Sequence, residues 1–272
     1  MKKFEGILIC SDLDGTLINS KEEISKENLE AIEYFKANGG LFTFITGRLP
    51  YFSSSIYNVV HPNAPFGCIN GGALYDYKEE KYICRTELPY SVLELVRYVD
   101  EQVEDLGIQV NHFDKTYFCR ENTAMVWFRE VTGVPNLVRD FDDINEPIAK
   151  ITFGDASNEK ILKVEQLLRS HPRADEFSFV RSGDILFEIM PKGITKGSAI
   201  ENLIERLGIK RENIIAVGDY NNDVGMLKAA GVGIAVANAT DAAKAAADRT
   251  TVSNDEHAIA RIIYDLEKGE IL

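Results

Sequence analysis

Three apolar runs of four or five residues end abruptly on residues able to bind or attack an anion, and this pattern constrains the chain more than any other. Ile7 to Cys10 stops at Ser11-Asp12, Leu41 to Ile45 stops at Thr46-Gly47-Arg48, and Ile214 to Val217 stops at Gly218-Asp219. Runs that are apolar at nearly every position, rather than at alternate ones, belong to strands covered on both faces, as in a parallel sheet. Helical segments fall between them. Ser25 can cap a helix on which Leu29, Ile32 and Phe35 recur at helical spacing up to Gly39-Gly40. After residue 190 the rhythm returns. A helix from Lys196 to Leu207 is ended by Gly208, and the strand at Ile214 is followed by a helix over Asp223 to Ala230. Next come a strand from Val232 to Val236, an alanine-rich helix from Asp241 to Ala247, a short strand over Thr250 to Val252 and a closing helix from Glu256 to Asp265. Strand, helix and strand in this order predict an α/β fold built on right-handed parallel crossovers.

The middle of the chain is patterned differently. Ser91-x-x-Glu94 has the spacing of a capping box, opening a helix with Val92, Leu95, Val96, Val99 and Val103 on its apolar side. Strands are expected at Ile108 to Val110, Tyr117 to Cys119, Ile148 to Phe153 and Phe177 to Val180, with another helix from Asn158 to Ser170. Several of these alternate, as in a sheet packed on one face and open to solvent on the other. The chain therefore divides into an α/β core, residues 1–83 and 189–272, and an inserted α+β domain, residues 84–188.

With 45% hydrophobic residues in 272, the chain can build a core without disulfides or a structural metal. Its four cysteines are dispersed, and Cys10 and Cys68 sit inside apolar runs, the pattern of a reduced, cytoplasmic protein. The opening MKKFEGILIC has an apolar stretch too short for a signal peptide or for the ~20 residues of a membrane span. A net charge of −13 argues against nucleic acid or an anionic membrane as a main partner, since both need a basic face. It also means that a phosphate-binding site here needs positive charge of its own.

Asp12-Leu13-Asp14-Gly15-Thr16-Leu17 follows the first strand directly, at the carboxyl end where open parallel sheets bind ligands. Two carboxylates one residue apart can divide the work, one attacking and the other handling protons. Gly15 permits a tight turn that aims amides at an anion, although a solvated turn uses the same residue types. Gly218-Asp219-Tyr220-Asn221-Asn222-Asp223 gathers oxygen ligands suited to Mg²⁺, while Asp219 or Asn222 could instead cap the next helix. Lys196 opens a helix, an unfavourable place for a cation unless it meets a phosphate. Thr46, Gly47 and Arg48 offer a hydroxyl, a flexible amide and a guanidinium, all suited to phosphate oxygens. Each group also has an ordinary structural use, and only their agreement points to phosphoryl chemistry. A nucleotide P-loop is excluded by the absence of its motif, and Gly231-x-Gly233 precedes a strand where a dinucleotide fingerprint would follow one.

In this order, D-x-D-G-T, Thr46, Lys196 and G-D-x-x-N-D resemble the haloacid dehalogenase superfamily. The long insert between the second and third motifs resembles its Cof-like branch, which carries a type IIB cap. Asn70-Gly71-Gly72 and Asn238-Ala239 match that branch as well; His257-Ala258 departs from it, standing where a Gly-Val pair is usual. The resemblance implies a Rossmann-like parallel-sheet core with an α+β cap, and a phosphatase acting on small phosphorylated metabolites. It implies that Asp12 attacks phosphorus to form an aspartyl-phosphate and that Asp14 serves as acid and then base. Mg²⁺ would be held by Asp12, the Asp14 backbone carbonyl and Asp219, with Asp223 and Asn222 as ligand or close support. Thr46 and Lys196 would hold the transferring phosphoryl, beside Gly47 and Arg48. A phosphomutase using the same intermediate and a catalytically silent phosphometabolite sensor are the competing functions.

Overall fold

The computed structural model describes residues 2–272. The first elements in chain order are β1 (Leu8–Ser11), α1 (Lys26–Ala37), β2 (Leu41–Phe44), α2 (Ser54–Val60), β3 (Phe66–Cys68), β4 (Ala73–Asp76) and β5 (Lys81–Arg85). The middle contains α3 (Val92–Asp100), β6 (Gly107–Asn111), β7 (Thr116–Arg120), α4 (Thr123–Thr132), β8 (Leu137–Val138), β9 (Lys150–Gly154), α5 (Asn158–Ser170), β10 (Phe177–Arg181) and β11 (Leu186–Pro191). The chain closes with α6 (Lys196–Leu207), β12 (Ile214–Gly218), α7 (Val224–Ala229), β13 (Val232–Ala235), α8 (Asp241–Ala246), β14 (Arg249–Thr250) and α9 (Ala258–Glu267). Two compact units result. One holds the residues up to Arg48, Ser53–Arg85 and Thr195–Leu272; the other holds Leu49–Phe52 and Thr86–Ile194. The division falls after β5, which pairs with β4, and beyond β11, a strand that runs through residue 188.

The first unit is built on a parallel sheet of order β14-β13-β12-β1-β2. β1 lies between β12 and β2, with Leu8 opposite both Ile214 and Leu41. Leu8, Ile9, Phe42, Phe44, Ile215 and Val217 are wholly buried. Burial contributes about 1.5–3 kcal/mol for each such side chain, so the central strands form a rigid platform whose carboxyl ends carry the polar motifs. α1 packs on α9, and α6, α7 and α8 pack in succession. Ser25 caps α1, its hydroxyl accepting from the Asn28 amide at 3.3 Å. The antiparallel sheet β3-β4-β5 joins the main sheet through one parallel bridge between Ile45 and Gly67. Near the C-terminus the last strand is Arg249–Thr250 rather than 250–252. His257 adopts a left-handed conformation, φ +62°, that separates the turn over Asn254–Glu256 from α9. The closing helix therefore begins later than its sequence pattern suggests.

The second unit is a six-stranded sheet of order β10-β11-β9-β6-β7-β8. Its apolar face, including Ile108, Val110, Ile151, Phe153, Phe187 and Ile189, packs with α3 and α5. The capping box expected at Ser91 does not form. Ser91 is already helical and its side chain makes no cap bond, while Glu94 pairs instead with Arg173. The opposite face of the sheet is polar, as alternation predicts, but it is buried rather than open to solvent. Gln109, Asn111, Thr116, Lys150, Thr152 and Glu188 lie there at 8% exposure or less. They bond to one another: Lys150 to Glu188, Asn111 Nδ2 to Thr152 Oγ1 at 3.0 Å, and Thr116 Oγ1 to Asn111 Oδ1 at 2.7 Å. Alternation tells which side chains share a face, not what covers it. Within this unit Tyr51 and Phe52 pack with Phe118 and Met125, and Tyr51 reaches Thr116 at 2.7 Å. Among the described residues no helix is long and apolar enough to cross a membrane.

Candidate active site

The carboxyl ends of the parallel strands bring the separated motifs together. The Asp12 amide continues the pairing of β1 with β12 by donating to the Val217 carbonyl at 2.8 Å, which fixes the Asp12 side chain just past the strand end. Lys196 is the first residue of α6, and its N-cap Thr195 accepts from the Gly197 amide at 3.2 Å. The Lys196 ammonium lies 2.5 Å from Asp12 Oδ1 and 2.6 Å from Asp223 Oδ1, with all three side chains buried. A cation at a helix start, unfavourable in isolation, is here held between two carboxylates.

Asp219 completes the cluster. Carboxylate oxygens of Asp12, Asp219 and Asp223 lie within 4.8 Å of one another. At that spacing a pair of like charges repels by roughly 3 kcal/mol in partly screened surroundings, so one lysine cannot keep all three ionised. The consequences are visible in their proton affinities. Burial, followed by the charge of Asp223, pushes the Asp12 carboxyl well above its ordinary range, against the pull of Lys196. Asp219 is raised to about 6, again by burial first and then by Asp223. Burial works against the Lys196 ammonium, but Asp12 and Asp223 outweigh it and raise its pKa. An all-oxygen set of three crowded carboxylates with excess negative charge fits a hard divalent cation.

The two aspartates of the second motif are engaged differently. Asp223 Oδ2 accepts the backbone amides of Asp219 and Tyr220, each at 2.9 Å, while Oδ1 takes Lys196. Asp219 Oδ1 accepts the Thr16 hydroxyl at 3.0 Å, and Oδ2 faces Gly15. Gly15, at φ +79°, is required here because a Cβ would stand 2.5 Å from Asp219 Oδ2. Asn222 Nδ2 donates to Asn70 Oδ1 at 3.1 Å.

Thr46 is buried just past β2, its amide donating to the Gly67 carbonyl at 2.9 Å and its hydroxyl accepting from the Arg48 amide at 3.2 Å. The Arg48 guanidinium forks onto Asp14, with Nε 3.0 Å from Oδ2 and a terminal nitrogen on Oδ1. The Asp14 side chain is 60% exposed and stands outside the carboxylate cluster.

Sequence reasoning missed the supports of this arrangement. Asn238 Nδ2 donates to the Gly15 carbonyl at 2.8 Å, and Asn254 Nδ2 to the Ile18 carbonyl at 3.0 Å. The turn before His257 thus ties down the loop that follows β1. Ile69 and Asn70 are both left-handed, at φ +56° and +50°, a conformation that strains a β-branched residue. The sequence hints were Asn70-Gly71-Gly72 and Asn238-Ala239, neither of which marks a role by itself.

Carboxylates and a lysine gathered at the ends of parallel strands define an α/β enzyme site in which three carboxylates could hold a cation. The model of the haloacid dehalogenase-like hydrolases matches residues 9–263, and the chain belongs to this family. It is a phosphoric monoester hydrolase of the haloacid dehalogenase type. It is 29% identical to the putative phosphatase YxeH of Bacillus subtilis, over 95% of this chain and 97% of that one. It is 28% identical to 5-amino-6-(5-phospho-D-ribitylamino)uracil phosphatase YitU of the same organism, over 95% and 96%. A haloacid dehalogenase-like hydrolase from Bacteroides thetaiotaomicron has the same fold, with a TM-score of 0.82, 28% identity, and coverage of 96% of this chain and 99% of that one.

Proposed function

We propose that this chain hydrolyses small phosphorylated metabolites, sugar phosphates or related phosphomonoesters, through an aspartyl-phosphate on Asp12 and with Mg²⁺. The observation that carries this is the buried Asp12 carboxylate, paired with Lys196 beside Asp219 and Asp223. An Asp12 oxygen attacks phosphorus as the bond to the leaving oxygen breaks, and Asp14 gives that oxygen a proton. Water then attacks the same phosphorus and passes a proton to Asp14. The bond to Asp12 breaks, inorganic phosphate leaves, and Asp14 is again protonated. The Thr46 hydroxyl, already accepting from the Arg48 amide, keeps its own proton to donate to a phosphoryl oxygen. Together with Lys196 and the Gly47 amide it offsets charge on the transferring group.

Asp12, Asp219 and the Asp14 carbonyl would hold the cation, while Asp223 anchors Lys196 and the Asp219 backbone beside them. Bound there, Mg²⁺ screens the repulsion between a carboxylate nucleophile and an anionic phosphate. YitU is named for a substrate with a phosphorylated ribityl chain, which supports a polyol phosphate here. The enzyme works in the cytoplasm on a diffusible metabolite, and a net charge of −13 disfavours nucleic acid as a partner.

A panel of phosphorylated metabolites, scored for phosphate release with Mg²⁺ and with EDTA, tests this. Metal-dependent release from a sugar or polyol phosphate is expected. An isomer without free phosphate would instead make the chain a mutase, and silence across the panel would make it a sensor.

A further inference from the structure

We infer that Arg48 is a positioning residue for Asp14 and does not bind the transferring phosphoryl. The inference rests on the phosphatase function proposed above. A guanidinium recognises carboxylate and phosphate alike through its planar fork, so the sequence alone assigns Arg48 to either. In the structure the fork is taken by Asp14, with Nε 3.0 Å from Oδ2 and a terminal nitrogen on Oδ1. Two parallel bonds define the plane of the carboxylate as well as its place, which a single ammonium could not do. Arg48 is itself anchored at both backbone ends. Its amide donates to Thr46 Oγ1 at 3.2 Å, and its carbonyl accepts the Ile69 amide at 3.1 Å.

Asp14 needs such a support. Its side chain is 60% exposed, the most open of the aspartates at the site, and it lies on a loop past the end of β1. A solvent-exposed ion pair contributes little to stability, so fold stability does not explain the contact. Orientation does, because proton transfer to a leaving oxygen or from water requires a carboxyl within hydrogen-bond reach and correctly aimed. Asp12, Lys196, Asp219 and Asp223 are fixed by their mutual bonds, and Arg48 extends the same order to Asp14.

A double-mutant cycle with p-nitrophenyl phosphate and Mg²⁺ tests the assignment, because this leaving group departs without full protonation and keeps the Asp14→Asn variant measurable. Arg48→Ala should lower kcat about 10-fold with KM nearly unchanged, as lost alignment removes only transition-state stabilisation. In the Asp14→Asn background the same substitution should change kcat less than about 2-fold, since coupled residues are strongly non-additive. Arg48→Lys, which keeps the charge but not the fork, should fall between wild type and Arg48→Ala, and it replaces Arg48→Ala in the cycle if the latter fails to fold. An equal loss in both backgrounds, or a loss confined to KM, would place Arg48 on the substrate and overturn the inference. Unchanged kcat in Arg48→Ala would also overturn it while leaving the phosphatase assignment intact. A wild-type chain inactive on every phosphomonoester would sink both.

Discussion

Lys196 Nζ stands 2.5 Å from Asp12 Oδ1, an ion pair between buried side chains 184 positions apart in the sequence. The same ammonium meets Asp223 at 2.6 Å, so the start of α6, the end of β1 and the turn after β12 share one charge. This sharing separates the two aspartates of the second motif. Asp223→Ala leaves the buried ammonium with Asp12 alone and two backbone amides unpaired, and should cost about 1–3 kcal/mol of stability without metal. Asp219→Ala gives up one hydroxyl bond and relieves repulsion, so it should melt within about 1 kcal/mol of wild type while losing most of the stabilisation by Mg²⁺. Denaturant titrations with and without Mg²⁺ check both. A strong Mg²⁺ response in Asp219→Ala would remove it from the ligand set.

The raised carboxyls should make Mg²⁺ binding depend on pH. Asp219 has a folded pKa of about 6 against an ordinary 3.8, so between these values the folded, metal-free chain holds a proton there that the unfolded chain releases. This group's own contribution therefore favours the metal-free fold at low pH and is lost as pH rises through about 6. A cation must displace that proton. The rise in Tm produced by saturating Mg²⁺ should be full at pH 7.5 and shrink as pH falls through 6, with Asp12 shifted in the same direction. A metal-induced rise that is constant from pH 7.5 to 5 would contradict this.

The elements that were legible in the sequence are those whose burial is uniform. β1, β2 and β12 are apolar at nearly every position because they are covered on both faces, and their ends placed Asp12, Thr46 and Asp219 correctly on one edge. β3 has three residues and β5 is charged and half-exposed, so the small sheet left no apolar run to read. The polar face of the six-stranded sheet was visible as alternation, but its burial depends on cover that alternation cannot report. At the site, residue types suggested chemistry but not partners. Nothing in the sequence distinguishes Arg48 on a phosphate from Arg48 on Asp14, or Asp223 as a ligand from Asp223 as the anchor of Lys196. The bonds of Asn238 and Asn254 to the loop after β1 cross more than 200 positions and have no local signature.

Gly71 holds the helix start that carries Lys196. It lies at φ +87°, and a Cβ there would collide with the Thr195 carbonyl oxygen. Because the obstacle is backbone, the strain cannot be relieved by a rotamer change. Gly71→Ala should destabilise the fold by about 3 kcal/mol or more and depress kcat by displacing the ammonium. Thermal melts and steady-state kinetics check this, and a variant with wild-type stability would show that the turn is not rigid.

The thiols should differ sharply in reactivity. Cys84 is exposed, whereas Cys10, Cys68 and Cys119 are buried. Burial pushes the Cys119 thiol up to about 12 and raises Cys10 as well, so neither forms thiolate near neutrality. A chromogenic disulfide reagent should titrate one thiol in the native chain and four in denaturant; rapid reaction of two or more native thiols would contradict the packing around them.

The most direct measurement is to trap the phosphoryl-enzyme. A chain turning over a phosphomonoester with Mg²⁺ is acid-quenched, digested and mapped by mass spectrometry, alongside Asp12→Asn. A hydroxylamine-labile phosphoryl group on the peptide containing Asp12, absent from an Asp12→Asn variant that folds but does not turn over, is expected. Turnover by Asp12→Asn at the wild-type rate, or a phosphoryl group on another residue, would contradict the assignment of Asp12 as nucleophile.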